Sequence, residues 1–454
     1  MSQILAAFHG NRLLARVLRS ASWVMFGYGG SQALRLAANL ILARLLFPEA
    51  FGLMALINVI IMGLALFSDT GINAAITQSA RGDDPDFLDT AFSIQAVRGV
   101  ILWLATMALA WPAALFYDEP ALLTYLPLAG FAMVLAGLLP TRIETANRHL
   151  LTGRVTLLDL SSQFIGLICM VVLALLTGSV VALVLGGVLQ ATAHLLLAHR
   201  FMPGRPNSFR WEPRAVREQV NFGKWILLST ACFFVISQGD RLILGRLVPL
   251  EVLGIYNIGY FLASFPVMLG IALNQRLLIP VYREKPASLS RENWQKHRLL
   301  RTPMSAAMLS LLLVLAFFGP MLVEWLYDDR YLMAGPIVTL IAVSMIPNAV
   351  GFTYDHAALA AGDSRSYFVT NACRAGVQTL LFLLGFNMFG LIGAIAAFGL
   401  SAITVYPVLV RLAVKHAAWD PVHDALFFAL ASVLGIAALW IHWDLIQTML
   451  GPFG

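Results

Sequence analysis

The chain is built from apolar blocks of about 20 residues each, the length a helix needs to cross the hydrocarbon of a bilayer. Only 12% of the 454 residues are charged, 59% are hydrophobic, and the mean hydropathy is +0.79. A soluble domain carries roughly 25% charged residues, so this chain cannot cover a water-facing surface. Soluble enzymes, disordered chains and coiled coils are excluded. A transmembrane β-barrel is excluded too, because its strands alternate polar and apolar residues. Helices satisfy their own backbone groups in lipid, so the expected class is an all-α polytopic membrane protein.

Thirteen spans are expected: 22–44, 51–75, 91–116, 121–140, 157–177, 180–199, 224–245, 252–278, 304–326, 333–355, 368–388, 390–411 and 424–443. Lysine and arginine orient them. Six basic residues lie in 200–224 (Arg200, Arg205, Arg210, Arg214, Arg217, Lys224) and six in 281–303, whereas the loops on the other side hold Arg44, Arg246 and Arg330. The N-terminus is therefore expected on the cytoplasmic side. This topology accounts for most of the +6 net charge, and no nucleic-acid partner is called for. Residues 1–21 read as a cytoplasmic amphipathic segment rather than a cleaved leader, since no small-residue cleavage site follows.

The expected organisation is an N-terminal six-helix lobe (22–200), a cytoplasmic linker (201–223), a C-terminal six-helix lobe (224–415) and a further helix with its tail (416–454). An internal repeat supports it. LARLLFPEAFGLMALI (42–57) aligns without gaps with LGRLVPLEVLGIYNIG (244–259), and Leu42/Leu244, Arg44/Arg246, Leu45/Leu247, Glu49/Glu251 and Gly52/Gly254 are identical. An even number of spans separates the copies, so they share one orientation, a design found in secondary transporters. A weaker echo joins 139–154 to 346–365.

Ionisable side chains inside spans are functional hypotheses by default. Arg35 lies roughly 20 Å into the first span at 1.5 Å per residue. Gln32, Arg35 and Asn39 share one helix face, and Gln95 shares a face with Arg98. Arg98 and Arg374 are less deep. Arg241 sits beside Asp240, Arg276 beside Gln275, and Asp69 lies near a helix end. Arg276 also suits snorkelling to headgroups, and Asp240 with Arg241 also suits a structural pair. The surplus of buried cations points to an anionic substrate, because arginine binds phosphate in bidentate fashion. The candidate cavity residues are thus Arg35, Arg98, Arg241, Arg276, Gln32, Asn39, Gln95 and Gln275, with Asp69 and Asp240 as gate or ion-coupling acids.

No nucleotide-binding loop, metal-ligand cluster or hydrolase motif occurs, so no cofactor and no enzymatic activity are expected. The cysteines Cys169, Cys232 and Cys373 lie in apolar blocks, as structural thiols do. The histidines, among them His194, His199 and His423, read as interfacial.

Several stretches, in order, resemble a known family: LARLLFPEAFGLMAL, FSDTGINAAITQ (67–78), DTAFSIQAVRG (89–99), ETANRHLLTGRVTLLDLSSQ (144–163), GDRLILGRLVPLEVLGIYNIGYFLASFP (239–266) and HAALAAGDSR (356–365). They are similar to bacterial polysaccharide-export flippases. These form the polysaccharide transporter (Wzx-like) branch of the multidrug/oligosaccharidyl-lipid/polysaccharide flippase superfamily. The resemblance implies two pseudo-symmetric six-helix lobes around a central cavity that opens alternately to either side. It implies a polyprenyl-diphosphate-linked oligosaccharide as substrate, and a polymerase and other export proteins as partners. Relatives with twelve or fourteen spans leave the thirteenth block unmatched. A cation-coupled small-molecule antiporter of the same superfamily is the second expectation. A membrane glycan ligase or polymerase is the third, and it is disfavoured by the short outer loops.

Overall fold

The computed structural model describes residues 13–69, 71–213, 215–216, 227–284 and 287–449. Most of the amphipathic N-terminal segment and the end of the linker lie outside the described residues, as do the side chains of Gln275 and Arg276. Every regular element among the described residues is a helix. Nine helices there are long and apolar enough to cross a membrane, or ten if one bent pair counts as a single span. The contacts divide the chain into two compact units, Met1–Thr230 and Ala231–Gly454.

The first unit contains α1 (Leu13–Leu45), α2 (Pro48–Phe67), α3 (Ile72–Gln78), α4 (Pro85–Tyr117), α5 (Leu122–Gly137), α6 (Arg142–Arg148), α7 (Thr152–Thr177) and α8 (Val181–Phe201). Local chemistry sets the ends. Pro48 and Pro85 open α2 and α4, where a missing N–H costs nothing. Asp84 caps α4 by accepting from the Asp86 N–H at 3.0 Å. The α4–α5 pair is a close backbone approach: a Cβ on Gly99 would lie 2.6 Å from the Met133 carbonyl oxygen, and one on Gly137 would lie 2.6 Å from that of Gln95. Small residues permit such contacts in lipid, where van der Waals packing drives association.

Helices α5 and α6 meet at a 60° bend. Two arginines of α6 then cap other helices. Arg142 donates to the carbonyls of His199 and Met202 at the end of α8, at 3.1 and 3.0 Å. Arg148 donates to Ile76, Thr77 and Ser79 at the end of α3, at 3.0, 3.1 and 2.7 Å. Both satisfy C-terminal carbonyls that have no partner within their own helix. That is the physical content of the TRIETANRHLLTGR stretch.

The second unit contains α9 (Leu227–Leu247), α10 (Leu250–Glu284), α11 (Arg291–Leu326), α12 (Ala334–Ser344), α13 (Ile346–Gly351), α14 (Tyr354–Ala360), α15 (Ser364–Lys415), α16 (Pro421–Ile441) and α17 (Trp443–Gln447). Helix α12 is its core: every residue from Ala334 to Ala342 is buried, as expected of a helix apolar all round. Helix α15 is two helices, broken where Gly390 takes φ 58°, ψ −143°, a conformation reserved for glycine. Its halves run back along each other, since a Cβ on Gly385 would lie 2.3 Å from the Gly393 carbonyl oxygen. The far ends meet where the Lys415 ammonium and the His416 ring contact Asp363. The expected spans 368–388 and 390–411 are these two halves.

The repeat is visible in local structure. Helix α1 ends at Leu45 and α9 at Leu247, while α2 begins at Pro48 and α10 at Leu250. These are the positions the alignment pairs. Leu42 and Leu244 are both buried, and Arg44 and Arg246 are both exposed. In the two segments of the weaker echo, a positive φ at Leu150 and one at Gly362 each fall two residues before the next helix, α7 and α15.

The outward surface is apolar. Trp325, Trp440 and Leu176 are 86%, 81% and 76% exposed. Lipid rather than water is the solvent for that surface, so these side chains need no partner.

Candidate functional site

Within the first unit, helices α2 to α8 line a cavity of about 590 Å³. Its apolar walls include Ile61, Leu102, Met133 and Val155, and its polar lining is Asp69, Asn73, Gln95, Arg98, Thr141, Glu144, Asn147, Asp159 and His194. A large, mostly apolar pocket with a few converging polar groups is the default binding site of an unassigned fold.

The elements place these groups for definite reasons. The α5–α6 bend turns Glu144 and Asn147 into the cavity. The end of α2 brings Asp69, whose Oδ1 accepts from the Gly71 N–H at 2.9 Å. Arg98 crosses from α4 to that same end. It donates to Ser68 Oγ at 3.0 Å and to the Ala65 carbonyl at 2.7 Å. Gln95 donates to Asn73 Oδ1 at 3.3 Å. The Asn147 amide donates to Glu144 at 3.3 Å. His194 Nε2 lies 3.2 Å from Asp159 Oδ1.

The structure thus gathers three of the expected residues, Asp69, Gln95 and Arg98, into one site. It adds Glu144, Asn147, Asp159 and His194, which the sequence reading left out. Those four sit near span ends, where charge is ordinary, so hydropathy gave no signal for them. His194 was expected at the interface and instead lines the cavity. The balance of charge also differs from the surplus of buried cations read from the sequence. Asp69, Glu144 and Asp159 face one arginine here, and that arginine already spends two donors on the end of α2.

Arg35, Gln32 and Asn39 lie on α1 and are not among the residues lining this cavity. Gln32 donates to Tyr28 at 3.1 Å, and Ser31 on the same helix donates to Gln163 of α7 at 2.8 Å. Arg35 is exposed on its unit.

Asp240 and Arg241 are in the second unit, at the α9–α10 contact. The Arg241 guanidinium donates to Asn257 Oδ1 at 3.0 Å and to the Ser237 carbonyl at 3.2 Å. It also lies 4.2 Å from the centre of the Tyr260 ring, a cation–π distance. Asp240 accepts from the Tyr256 hydroxyl at 2.6 Å and pairs with Arg241 at 3.4 Å. Every charge in this cluster is answered from within the unit. Arg374 is similarly engaged, 3.0 Å from Asp355.

A second buried network lies at the start of α16 and was not foreseen. Arg301 donates to the Ala418 carbonyl at 2.8 Å and lies 3.4 Å from Asp420, which also pairs with Arg298 at 3.0 Å. Asp424 accepts from the hydroxyls of Tyr354 and Tyr406, and His423 Nδ1 is 2.9 Å from it. His423 is 3% exposed, so it is a core residue rather than an interfacial one, because Asp424 supplies its polar partner.

No group of three or more His, Cys, Asp or Glu among the described residues is arranged to hold a metal ion.

Known proteins resemble this chain in both sequence and fold. The lipopolysaccharide biosynthesis protein WzxC of Escherichia coli (strain K12) is 21% identical over 394 residues, covering 85% of this chain and 78% of the relative. The lipid II flippase MurJ, in an inward closed conformation, superposes with a TM-score of 0.64 at 14% identity, covering 94% of this chain and 100% of that one. An inward-facing multidrug resistance MATE-family transporter of the MOP superfamily gives a TM-score of 0.62 at 12% identity, over 84% and 95% of the two chains. These solved structures share the fold. Residues 41–351 match the family described as polysaccharide biosynthesis protein, and the chain belongs to that family.

Proposed function

We propose that the protein is a flippase moving oligosaccharide units linked to a polyprenyl diphosphate from the cytoplasmic to the outer face of the inner membrane, for assembly of a surface polysaccharide. The observation that carries this reading is the membership of a polysaccharide biosynthesis family on a fold shared with a lipid II flippase. The N-terminus is then cytoplasmic, as the lysine and arginine distribution requires. The two units are the two lobes of an alternating-access transporter. The chemistry is movement alone, with no bond made or broken.

The residues divide the work. Arg35, exposed on α1 and deep in its span, meets the diphosphate. The first-unit cavity, with its amides and carboxylates between apolar walls, suits sugar hydroxyls, which both donate and accept hydrogen bonds. The test is export of surface polysaccharide from a strain whose own gene is replaced by Arg35→Ala. Loss of export at normal protein level supports the reading, and wild-type export removes Arg35 from it. Reconstituted vesicles decide the activity itself. Polyprenyl-diphosphate oligosaccharide that never becomes accessible on the opposite leaflet overturns the flippase assignment.

The acid-rich cavity favours one second reading, cation-coupled export of a small molecule. Uptake of a cationic dye into vesicles, driven by an ion gradient and blocked by Asp69→Asn, would establish it.

A further inference from the structure

The bend between α5 and α6 turns Glu144 and Asn147 into the first-unit cavity, and the helices on either side of it do not hold it alone. In a continuous helix each N–H closes on the carbonyl four residues back. Pro140 has no N–H, and a proline disfavours the helical conformation in the residue before it. The Thr141 N–H, next in line, is donated not to α5 but to Asn207 Oδ1 at 3.0 Å, 66 residues further along the chain. Helix α6 has only 7 residues, too few to hold itself by its own hydrogen bonds. Contacts from outside therefore decide where it lies.

Those contacts come from two sides. The far end of α6 is held by Arg148 on the carbonyls of α3. Its start is held by the linker. Asn207 Nδ2 donates to Thr141 Oγ1 at 2.8 Å and to Asp89 Oδ1 at 3.4 Å, so the amide uses its carbonyl and both its hydrogens. Gly204 passes beside Arg142 with φ 130°, and a Cβ there would lie 3.2 Å from the Arg142 Cβ.

Asn207 is itself anchored on α4. Asp86, Asp89, Thr90 and Ser93 follow the i, i+3, i+4, i+7 spacing of one helix face, and the last three are 2%, 0% and 4% exposed. The Ser208 N–H and O–H donate to Asp89 at 3.1 and 2.6 Å, and Arg205 donates to it at 3.1 Å. The Arg210 N–H donates to Ser93 Oγ at 2.9 Å, and its guanidinium pairs with Asp86 at 2.6 Å. The linker is thus fixed to α4 on both sides of Asn207. Thr141 is 3% exposed and lines the cavity with Pro140, Ile143, Glu144 and Asn147. Without Asn207 its buried N–H must find another acceptor, and the one a straighter helix offers is the Gly137 carbonyl.

We propose that Asn207 is a positioning residue: through Thr141 it sets the α5–α6 bend, and thereby where Glu144 and Asn147 stand in the cavity. The linker is then part of the scaffold of the site. The proposal rests on the reading of this cavity as part of the transport path, but its first test reads the bend alone.

That test uses the full chain in nanodiscs with Cys169, Cys232 and Cys373 replaced by serine. Spin labels at Leu123→Cys and Leu151→Cys, both exposed, measure the distance across α5, the bend and α6. Asn207→Ala should broaden the distribution to longer distances, by up to about 4 Å. That is the gain when a 60° bend between helices of 16 and 7 residues straightens at about 1.5 Å per residue. Ser208→Ala removes a donor from the same Asp89 but keeps the Asn207–Thr141 contact, and should leave the distribution unchanged. A distribution unmoved by Asn207→Ala, or moved as far by Ser208→Ala, overturns the proposal. If Asn207→Ala does not fold, Thr141→Val decides in its place. It keeps the shape of the side chain and loses the hydroxyl that Asn207 meets, and only a broadening in the same direction upholds the assignment. Export of surface polysaccharide then tests the site. At equal protein levels it should fall in Asn207→Ala and stay at the parent's level in Ser208→Ala. An opened bend with the parent's export removes the cavity from the transport path while leaving Asn207 as the residue that sets the bend.

Discussion

Two regions of the molecule hold arginine within apolar helices, and they treat it differently. At the α9–α10 contact, Arg241 is wrapped by Asn257, Tyr260, the Ser237 carbonyl and Asp240. At the first-unit cavity, Arg98 holds the end of α2 and still borders open space. A buried charge is costly unless answered, and both charges are answered. Only the second is answered beside a void where a further ligand fits. Depth in the membrane does not separate the two, whereas the count of partners and the space beside them does.

The comparison is sharpened most by its extreme case. Arg301 and Asp420 are each about 1% exposed, and they tie α11 to α16. Removing one partner of a buried pair leaves the other uncompensated, a loss of about 3–5 kcal/mol. Arg301→Ala should therefore fail to give a monodisperse folded protein in detergent, with a large fall in the unfolding temperature. A variant as stable as the parent would mean that this network does not hold the second unit together.

The direct contrast comes next. Arg241→Leu leaves Asp240 with Tyr256 alone and should cost about 2–3 kcal/mol. Arg98→Leu loses one carbonyl and one hydroxyl acceptor and should cost roughly 1–2 kcal/mol. Transport should rank the other way: normalised to folded protein, Arg98→Leu should lose more export than Arg241→Leu. The reverse order, with unfolding and export measured on the same preparations, would erase the distinction between the two regions.

Glu144→Gln probes the cavity with a smaller structural effect. The amide keeps the size of the side chain and removes its charge, so stability should change by less than about 1 kcal/mol. A change in export or substrate preference at unchanged stability would identify Glu144 as a ligand contact. Unchanged export would confine the cavity to a packing defect.

Much of the fold was legible in the sequence because lipid imposes a single length scale. Apolar blocks had to be helices, and the paired junctions at Leu45/Leu247 and Pro48/Leu250 followed from a short repeat. The site was only partly legible. Arg98 and Asp69 stood out as charges in apolar surroundings. Glu144 and Asp159 did not: the α5–α6 bend brings Glu144 into the cavity, and one-dimensional hydropathy does not register a bend, while Asp159 sits near the start of α7, where charge is ordinary. The polar face of α4 at 86, 89, 90 and 93 was not read from the sequence, because its partner lay in a linker more than a hundred residues further along the chain. Histidine was the least legible residue. His194 and His423 occupy helix ends that read alike, yet one lines a cavity and the other is sealed in a core.

The smallest effect lies outside the membrane, where the α15 hairpin is stapled. The Lys415 ammonium beside Asp363, helped by Ser366, holds that carboxyl below the usual carboxylate range. A carboxyl lowered in the folded state adds stability at pH values above its unfolded value, and loses it as the pH falls through the folded one. The staple is thus complete at neutral pH and weakens only in strong acid. Lys415 is 58% exposed, and water screens such a pair to about 1 kcal/mol or less. Asp363→Asn should lower the unfolding temperature slightly at pH 7, and the gap to the parent should close as the pH is taken below the ordinary carboxylate range. Hydrogen exchange should show the change confined to the two ends of α15, because the Gly385–Gly393 contact holds the other end of the hairpin independently. A gap that persists in strong acid would show that the parent's advantage does not come from the Asp363 charge, since asparagine can still accept from the Ser366 N–H.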